Sequence, residues 1–320
     1  MAAPVVVVGG SAGALEPLRT MVAALPVDLP AAVVVVVHTP ATSSSRLAWL
    51  LGHASKLEVA TARDGNALEA GHVFVAPPDE HVLVEDGHLL LSHAPRENGV
   101  RPAIDPLFRS VARAKRESAI AVVLCGMLDD GSAGLASVRA YGGTCVVLAP
   151  DACDFGDMPE NAIRAADPQH VVGVDELAPL IVRLVEDAQM KESRSNIASI
   201  TPVGQQVQEP SEFACPDCGG VLSRVEEQGI SEFRCRVGHR YSPESLVEAQ
   251  ASAYESAVWA AVRALEEQAS LARDLHERAL LRGDQRTALR FAQRAATASD
   301  QAAIIRERLI PGLAAAGAAD

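Results

Sequence analysis

Val5-Val6-Val7-Val8-Gly9-Gly10-Ser11-Ala12-Gly13 is the stretch on which the reading of the fold turns. Four consecutive valines suit a strand buried on both faces, because branched side chains fit the pleat and no alternate position is polar. The glycines allow a sharp bend, and a helical pattern around Leu15–Leu25 follows. Strand, glycine turn and helix in that order open a strand-helix-strand unit. The alternation continues to residue 190, with further strands expected at Ala31–Val37, His72–Ala76, Ile120–Cys125 and Thr144–Leu148. These are mostly continuous apolar runs, which predicts an α/β fold: a doubly wound, mostly parallel sheet with helices on both faces. His81–Glu85 and His88–Ser92 flank Asp86-Gly87, a pair suited to a hairpin turn. An antiparallel element is therefore expected beside the parallel strands, making the sheet mixed.

The rest of the chain changes character twice. Residues 191–211 are polar and aperiodic and read as a linker, residues 212–243 hold a cysteine cluster, and residues 244–320 are rich in Ala, Glu, Arg and Leu. Ser242 and Pro243 suit an N-cap and first helical position, and Val258, Val262, Leu265, Ala269 and Ala272 recur at steps of four and three. With Gly283-Asp284 as the break, that spacing predicts an antiparallel helical hairpin. A length of 320 residues with 48% hydrophobic content can bury one large core and support a second module. The net charge of −13 argues against nucleic acid, whose binding needs clustered cations. The longest apolar run, Ala31–Val37, is far below the roughly 20 residues of a membrane span, and Met1-Ala2-Ala3-Pro4 lacks a basic leader. A cytoplasmic location without membrane insertion is expected. Six cysteines fit it: Cys125 and Cys145 sit in apolar runs, and three others resemble a metal site rather than a disulfide ladder.

Gly9-Gly10-Ser11-Ala12-Gly13 has the form G-x-S-x-G, which presents a serine on a tight strand-to-helix turn beside the free N–H groups of a helix start. A dinucleotide-binding loop is the competing reading. Against it, Val8 stands where the first glycine of that motif would fall, and the second strand ends in His38 rather than an acid for the ribose. A third strand end, Gly126-Met127-Leu128-Asp129-Asp130-Gly131, adds carboxylates. Serine, histidine and carboxylate at three carboxyl ends suit nucleophilic catalysis: the hydroxyl needs imidazole to take its proton, and a buried carboxylate fixes the imidazole tautomer. The plainer reading of Asp129 and Asp130 is capping of a helix over Ser132–Tyr141, and one of the pair can cap while the other works. The order Ser11, His38, Asp130 differs from the serine, acid, histidine order of α/β-hydrolases.

These runs, with Val37-His38-Thr39-Pro40, Gly71 to Pro77, Arg101 to Phe108 and Met158-Pro159, resemble the catalytic domain of chemotaxis protein-glutamate methylesterases over residues 4–187. The resemblance implies hydrolysis of glutamate methyl esters on chemoreceptors, with glutamine deamidation as a companion reaction and no cofactor for catalysis. It makes Ser11 the nucleophile, His38 the base and Asp130, the acid immediately before the glycine, its orienting partner. Ala12, Met127 and Arg101 fall at the oxyanion and substrate cleft, Met127 through its backbone N–H. Ser11-Ala12-Gly13-Ala14 stands where the family commonly has Ser-Thr-Gly-Gly, which removes a hydroxyl able to reach the histidine. Members with an N-terminal receiver domain are controlled by phosphorylation; here the catalytic strand begins at Pro4, so such control is not expected.

Cys215 and Cys218 form C-x2-C, and Cys235 and His239 form C-x3-H, with sixteen residues between the pairs. Three thiolates and an imidazole suit tetrahedral Zn2+, and four protein ligands leave no open position, so the site should be structural. The expected partner is a methylated chemoreceptor or a similar coiled-coil protein. The C-terminal residues serve docking, act as an inhibitory cap, or assemble homo-oligomers through the helices. Rival functions are a non-catalytic regulatory or scaffold protein on a degenerate esterase fold, and an esterase for a protein outside chemotaxis.

Overall fold

The valine runs form the middle of a seven-stranded sheet in this computed structural model, which describes residues 4–40, 46–192, 207–227 and 230–308. In chain order the elements are β1 (Val5–Gly10), α1 (Leu15–Ala24), β2 (Ala32–Val37), α2 (Leu47–Ala54), β3 (Glu58–Thr61), β4 (His72–Val75), β5 (His81–Glu85), β6 (His88–Ser92) and α3 (Ile104–Lys115). Then come β7 (Ala119–Val123), α4 (Ser132–Ala140), β8 (Thr144–Leu148), α5 (Asp157–Ala166), β9 (His170–Val172) and α6 (Val174–Glu192). The strand order is β3-β4-β2-β1-β7-β8-β9, with every pairing parallel. The order reverses at β1, between β2 and β7, which opens a crevice at the carboxyl ends of those three strands.

Alternation along β1 divides the core. Val5 and Val7 face α3, α4 and α5, packing with Leu107, Phe108, Leu135 and Ala162, while Val6 and Val8 face α1, α2 and α6 with Leu18, Met21, Leu51 and Ile181. All four valines are fully buried, each worth about 1.5–3 kcal/mol of transfer free energy.

The expected mixed sheet is not formed. β5 and β6 pair antiparallel, but as a separate two-stranded sheet. β3 and β9 hold the two outer positions of the large sheet, and the hairpin pairs with neither. Its apolar face, Val82, Val84 and Leu89, instead packs on α3, and the Val84 N–H donates to Ser110 Oγ at 3.0 Å.

Of the expected linker, residues 193–206 lie outside the described residues. Strand β10 (Val207–Ala214) begins within the remainder and pairs with β11 (Val221–Glu227), β12 (Ile230–Cys235) and β13 (Arg240–Tyr241) in a four-stranded antiparallel sheet. Two compact units result, Met1–Leu246 and Val247–Asp320. Helices α7 (Pro243–Leu281) and α8 (Gln285–Arg308) form the expected hairpin about Gly283, whose φ is +71°. Antiparallel pairing is fixed by Arg306 to Glu266 at 2.7 Å and by His276 Nδ1 against the Ala288 carbonyl at 2.8 Å. Val258, Val262, Ala269 and Ala272 are buried along it and Leu265 is half-buried. No described helix is long and apolar enough to cross a membrane.

Candidate active site

The carboxyl ends of β1, β2 and β7 are laced together by the backbone. Ser11 N–H donates to the Cys125 carbonyl at 2.9 Å, His38 N–H to Gly10 at 3.2 Å and Leu124 N–H to Gly9 at 2.8 Å. Those bonds hold the serine turn between the histidine and the β7 loop. Gly126 adjoins them so closely that an added Cβ would lie 3.0 Å from Ser11 Cβ and 2.6 Å from Met158 Cε.

His38 Nε2 lies 2.7 Å from Asp130 Oδ2. The same oxygen accepts the Ile104 N–H at 2.6 Å, and Oδ1 accepts Asn98 Nδ2 at 3.0 Å and the Asp105 N–H at 3.3 Å. Burial, at 2% exposure, works against ionisation, but the bonds and charge from His38 and the donors from Ile104 and Asn98 hold the Asp130 carboxyl below its ordinary value. Asp105 is its opposite. Burial first, then the charge of Asp130, pushes Asp105 well above the ordinary range, although it accepts the Gly134 N–H at 2.6 Å and Asn98 Nδ2 at 3.1 Å. One carboxylate is thus prepared to face an imidazole, and its neighbour serves as a cap.

Capping of α4 therefore comes from Asp105 on α3, not from Asp129 or Asp130. The N-cap position is Gly131, with φ +95° and no side-chain bond. Asp129 Oδ1 instead accepts Ser242 Oγ at 2.7 Å and Ser245 Oγ at 2.9 Å. Burial lifts its pKa to about 6 against the pull of those two hydroxyls.

The other sequence candidates fall around this centre. Ala12 is half-buried in the serine turn and Met127 is 51% exposed on the β7 loop. Arg101 shares with His38, Thr39, Pro40 and Arg96 a cavity of about 320 Å³. Its guanidinium is committed to Asp79 Oδ1 at 2.8 and 3.1 Å and to the His93 and Ala94 carbonyls at 3.0 and 2.9 Å. Cys125, expected only to sit in an apolar run, is disulfide-bonded to Cys153, with Cα atoms 5.4 Å apart. Asn98 and Asp105 also escaped sequence reasoning. Asp105 sits inside a run noted for its resemblance, but nothing local marks Asn98.

Cys215, Cys218, Cys235 and His239 come together, with one potential ligand atom from each within 4.8 Å of the others. Cys218 Sγ is 3.8 Å from Cys235 Sγ, matching the roughly 3.8 Å edge of a tetrahedron with zinc–sulfur bonds near 2.3 Å. His239 turns Nδ1 toward Cys235 Sγ at 3.4 Å and Nε2 toward Asp217 at 3.8 Å, a carboxylate that also accepts the Tyr241 hydroxyl at 2.5 Å. A carboxylate behind the histidine is the usual outer support of such a ligand.

A doubly wound parallel sheet that brings Ser11, His38 and the buried Asp130 to the carboxyl ends of adjacent strands, with His38 bonded to Asp130, defines the α/β class of the protein. Within it, the chain belongs to the CheB methylesterase family, whose model matches residues 6–181. It is 36% identical over 181 residues to a protein-glutamate methylesterase/protein-glutamine glutaminase of Symbiobacterium thermophilum, covering 56% of this chain and 50% of the relative. A putative enzyme of the same name from Leptospira interrogans is 32% identical, with 56% of this chain and 93% of the relative covered. The CheB methylesterase catalytic domain of Thermotoga maritima superposes with a TM-score of 0.55 at 31% identity, over 57% of this chain and all of that one. The chain spans about half the length of the Symbiobacterium relative, and its cysteine sheet and helical hairpin lie beyond the matched residues.

Proposed function

We propose that this chain hydrolyses methyl esters of glutamate side chains in a chemoreceptor or similar coiled-coil protein. The observation that carries it is the 2.7 Å contact between His38 Nε2 and Asp130 Oδ2 at the strand end next to the Ser11 turn. With Nε2–H given to the carboxylate, Nδ1 keeps the lone pair and is the nitrogen left to take the Ser11 proton. Ser11 Oγ attacks the ester carbonyl carbon as His38 accepts that proton. The oxyanion is received by the backbone N–H of Met127 and of Ala12. Collapse expels methoxide, which leaves as methanol with the proton from His38. Water, deprotonated by His38, then attacks the acyl-serine, and Ser11 leaves with the proton, releasing glutamate. Glutamine deamidation, named in the relatives, follows the same course with ammonia leaving.

Residues 1–190 would act as the esterase, 212–243 as a structural zinc module held by Cys215, Cys218, Cys235 and His239, and 244–320 as a helical arm, in the cytoplasm. Zinc there would fix the fold of a small sheet without entering the reaction.

Hydrolysis of a methylated receptor fragment in heavy-oxygen water tests the chemistry. Acyl attack places the label in the glutamate carboxylate; label in the methanol would contradict it.

A further inference from the structure

The sequence gives the segment after the cysteine cluster no role in catalysis, yet it is hydrogen-bonded into the carboxylate side of the trio. Asn98 is the hub. Its Nδ2 donates to Asp130 Oδ1 at 3.0 Å and to Asp105 Oδ2 at 3.1 Å, which uses both amide hydrogens. Its Oδ1 accepts the Ser242 N–H at 3.0 Å, and its own N–H donates to the Arg240 carbonyl at 2.8 Å. One residue to the other side, Asp129 takes the hydroxyls of Ser242 and Ser245. Both Asp130 and its chain neighbour therefore answer to residues 240–245.

That segment is itself pinned. Ion pairs join Arg109 to Glu97 and Glu232, and Arg240 to Glu232 at 3.3 Å and Glu97 at 3.9 Å. His239, immediately before Arg240, belongs to the cysteine–histidine cluster. The arrangement is continuous from that cluster through Arg240 and Ser242 to Asn98, and from Asn98 to the oxygen of Asp130 that does not face His38.

We propose that residues 240–245 brace the catalytic carboxylate, with Asn98 and Asp129 as the positioning residues that transmit the brace. The inference rests on Ser11, His38 and Asp130 being the working trio. Asn98 has a positive φ of 52°, the conformation that asparagine and glycine tolerate. Asn98 cannot reorient without surrendering a bond on one side or the other. An Asp130 released from Asn98 keeps His38, Ile104 and the 3.3 Å Asp105 N–H as partners but loses the shorter of the two bonds to Oδ1.

The test uses the full chain. Asn98→Gly removes the amide and keeps the backbone conformation. Ser242→Gly with Ser245→Ala removes both hydroxyls from Asp129 while leaving a residue acceptable as a helix N-cap. Nitrogen NMR of the imidazoles at a pH where His38 is neutral, assigned with His38→Gln, reads its tautomer without any substrate. The brace predicts a single Nε2–H tautomer in the wild type and a mixture in Asn98→Gly, with a smaller change of the same kind in the serine variant. Methyl-ester turnover should show kcat down by about tenfold or more in Asn98→Gly, as misplacement costs, with KM within about twofold because substrate contacts are untouched. A His38 nitrogen spectrum identical to wild type in both variants overturns the brace, whatever happens to kcat. If Asn98→Gly does not fold, the serine variant decides alone. A wild type that hydrolyses no ester would defeat the proposed function, and the nitrogen spectrum would still settle the brace.

Discussion

Replacing Asp129 by Asn should make the protein more stable above pH 6 and leave it unchanged near pH 4. Burial raises the folded-state pKa of Asp129 from 3.8 to about 6. Between those values the native state holds a proton that the unfolded chain has released, so stability falls as pH rises through that window. A shift of this size corresponds to about 3 kcal/mol at 1.36 kcal/mol per unit, fully lost by about pH 7. Asparagine keeps an acceptor for one serine hydroxyl and offers a donor to the other, without the desolvated charge. The assay is urea unfolding followed by Trp49 fluorescence, with Trp259→Phe in both proteins because the chain has two tryptophans. Asp105 and Asp130 titrate in both proteins, so their contributions cancel in the difference. That difference should open above pH 4 and reach about 3 kcal/mol in favour of Asn by about pH 7. A difference that stays flat across the range refutes the claim that burial dominates at Asp129.

Asp130→Asn should retain the fold and lower kcat by about four orders of magnitude, because an amide donor opposite His38 Nε2 forces the proton onto Nδ1 and removes the base; a loss under tenfold in a steady-state methanol assay contradicts that role. Gly126→Ala should depress kcat more than it depresses Tm, since the flexible Met158 side chain can give way but Ser11 Cβ, 3.0 Å from the new methyl, cannot move without displacing the proposed nucleophile; equal turnover in the two proteins would count against the close packing of that loop. Treatment with a zinc chelator should open residues 207–241 to proteolysis while the parallel sheet persists, as limited trypsin digestion would show; unchanged resistance, with no zinc found by elemental analysis, removes the metal from the account.

The parallel sheet was legible because its central strands are buried on both faces and therefore written as valine runs. Short edge strands carry no such mark: Glu58–Thr61 and His170–Val172 mix exposed and half-buried positions, and both went unforeseen. The hairpin was placed wrongly for another reason: its apolar face is spent on α3, a packing that the turn residues Asp86-Gly87 do not report. Ser11, His38 and the Asp129-Asp130 pair could be put forward because each follows a strand at a glycine-bounded or proline-bounded turn and strand ends converge by topology; the choice of Asp130 came from the family resemblance, and the structure places that residue against His38. Asn98, Asp105 and Ser242 could not. Their partners lie up to 144 residues away, and a polar residue in a loop or the first turn of a helix looks the same in sequence whether it meets water or a buried carboxylate. The same holds for Cys125 and Cys153, whose pairing depends on how the β7 and β8 loops approach each other.

We propose Ser11 as the nucleophile of a methylesterase. Methanol release from a methylated receptor fragment, measured for the wild type and for Ser11→Ala under identical conditions, tests it most directly. Steady release is expected from the wild type and none above the uncatalysed rate from the variant. Equal release by the two proteins would contradict it, and so would silence from both on receptor fragments and simple esters alike.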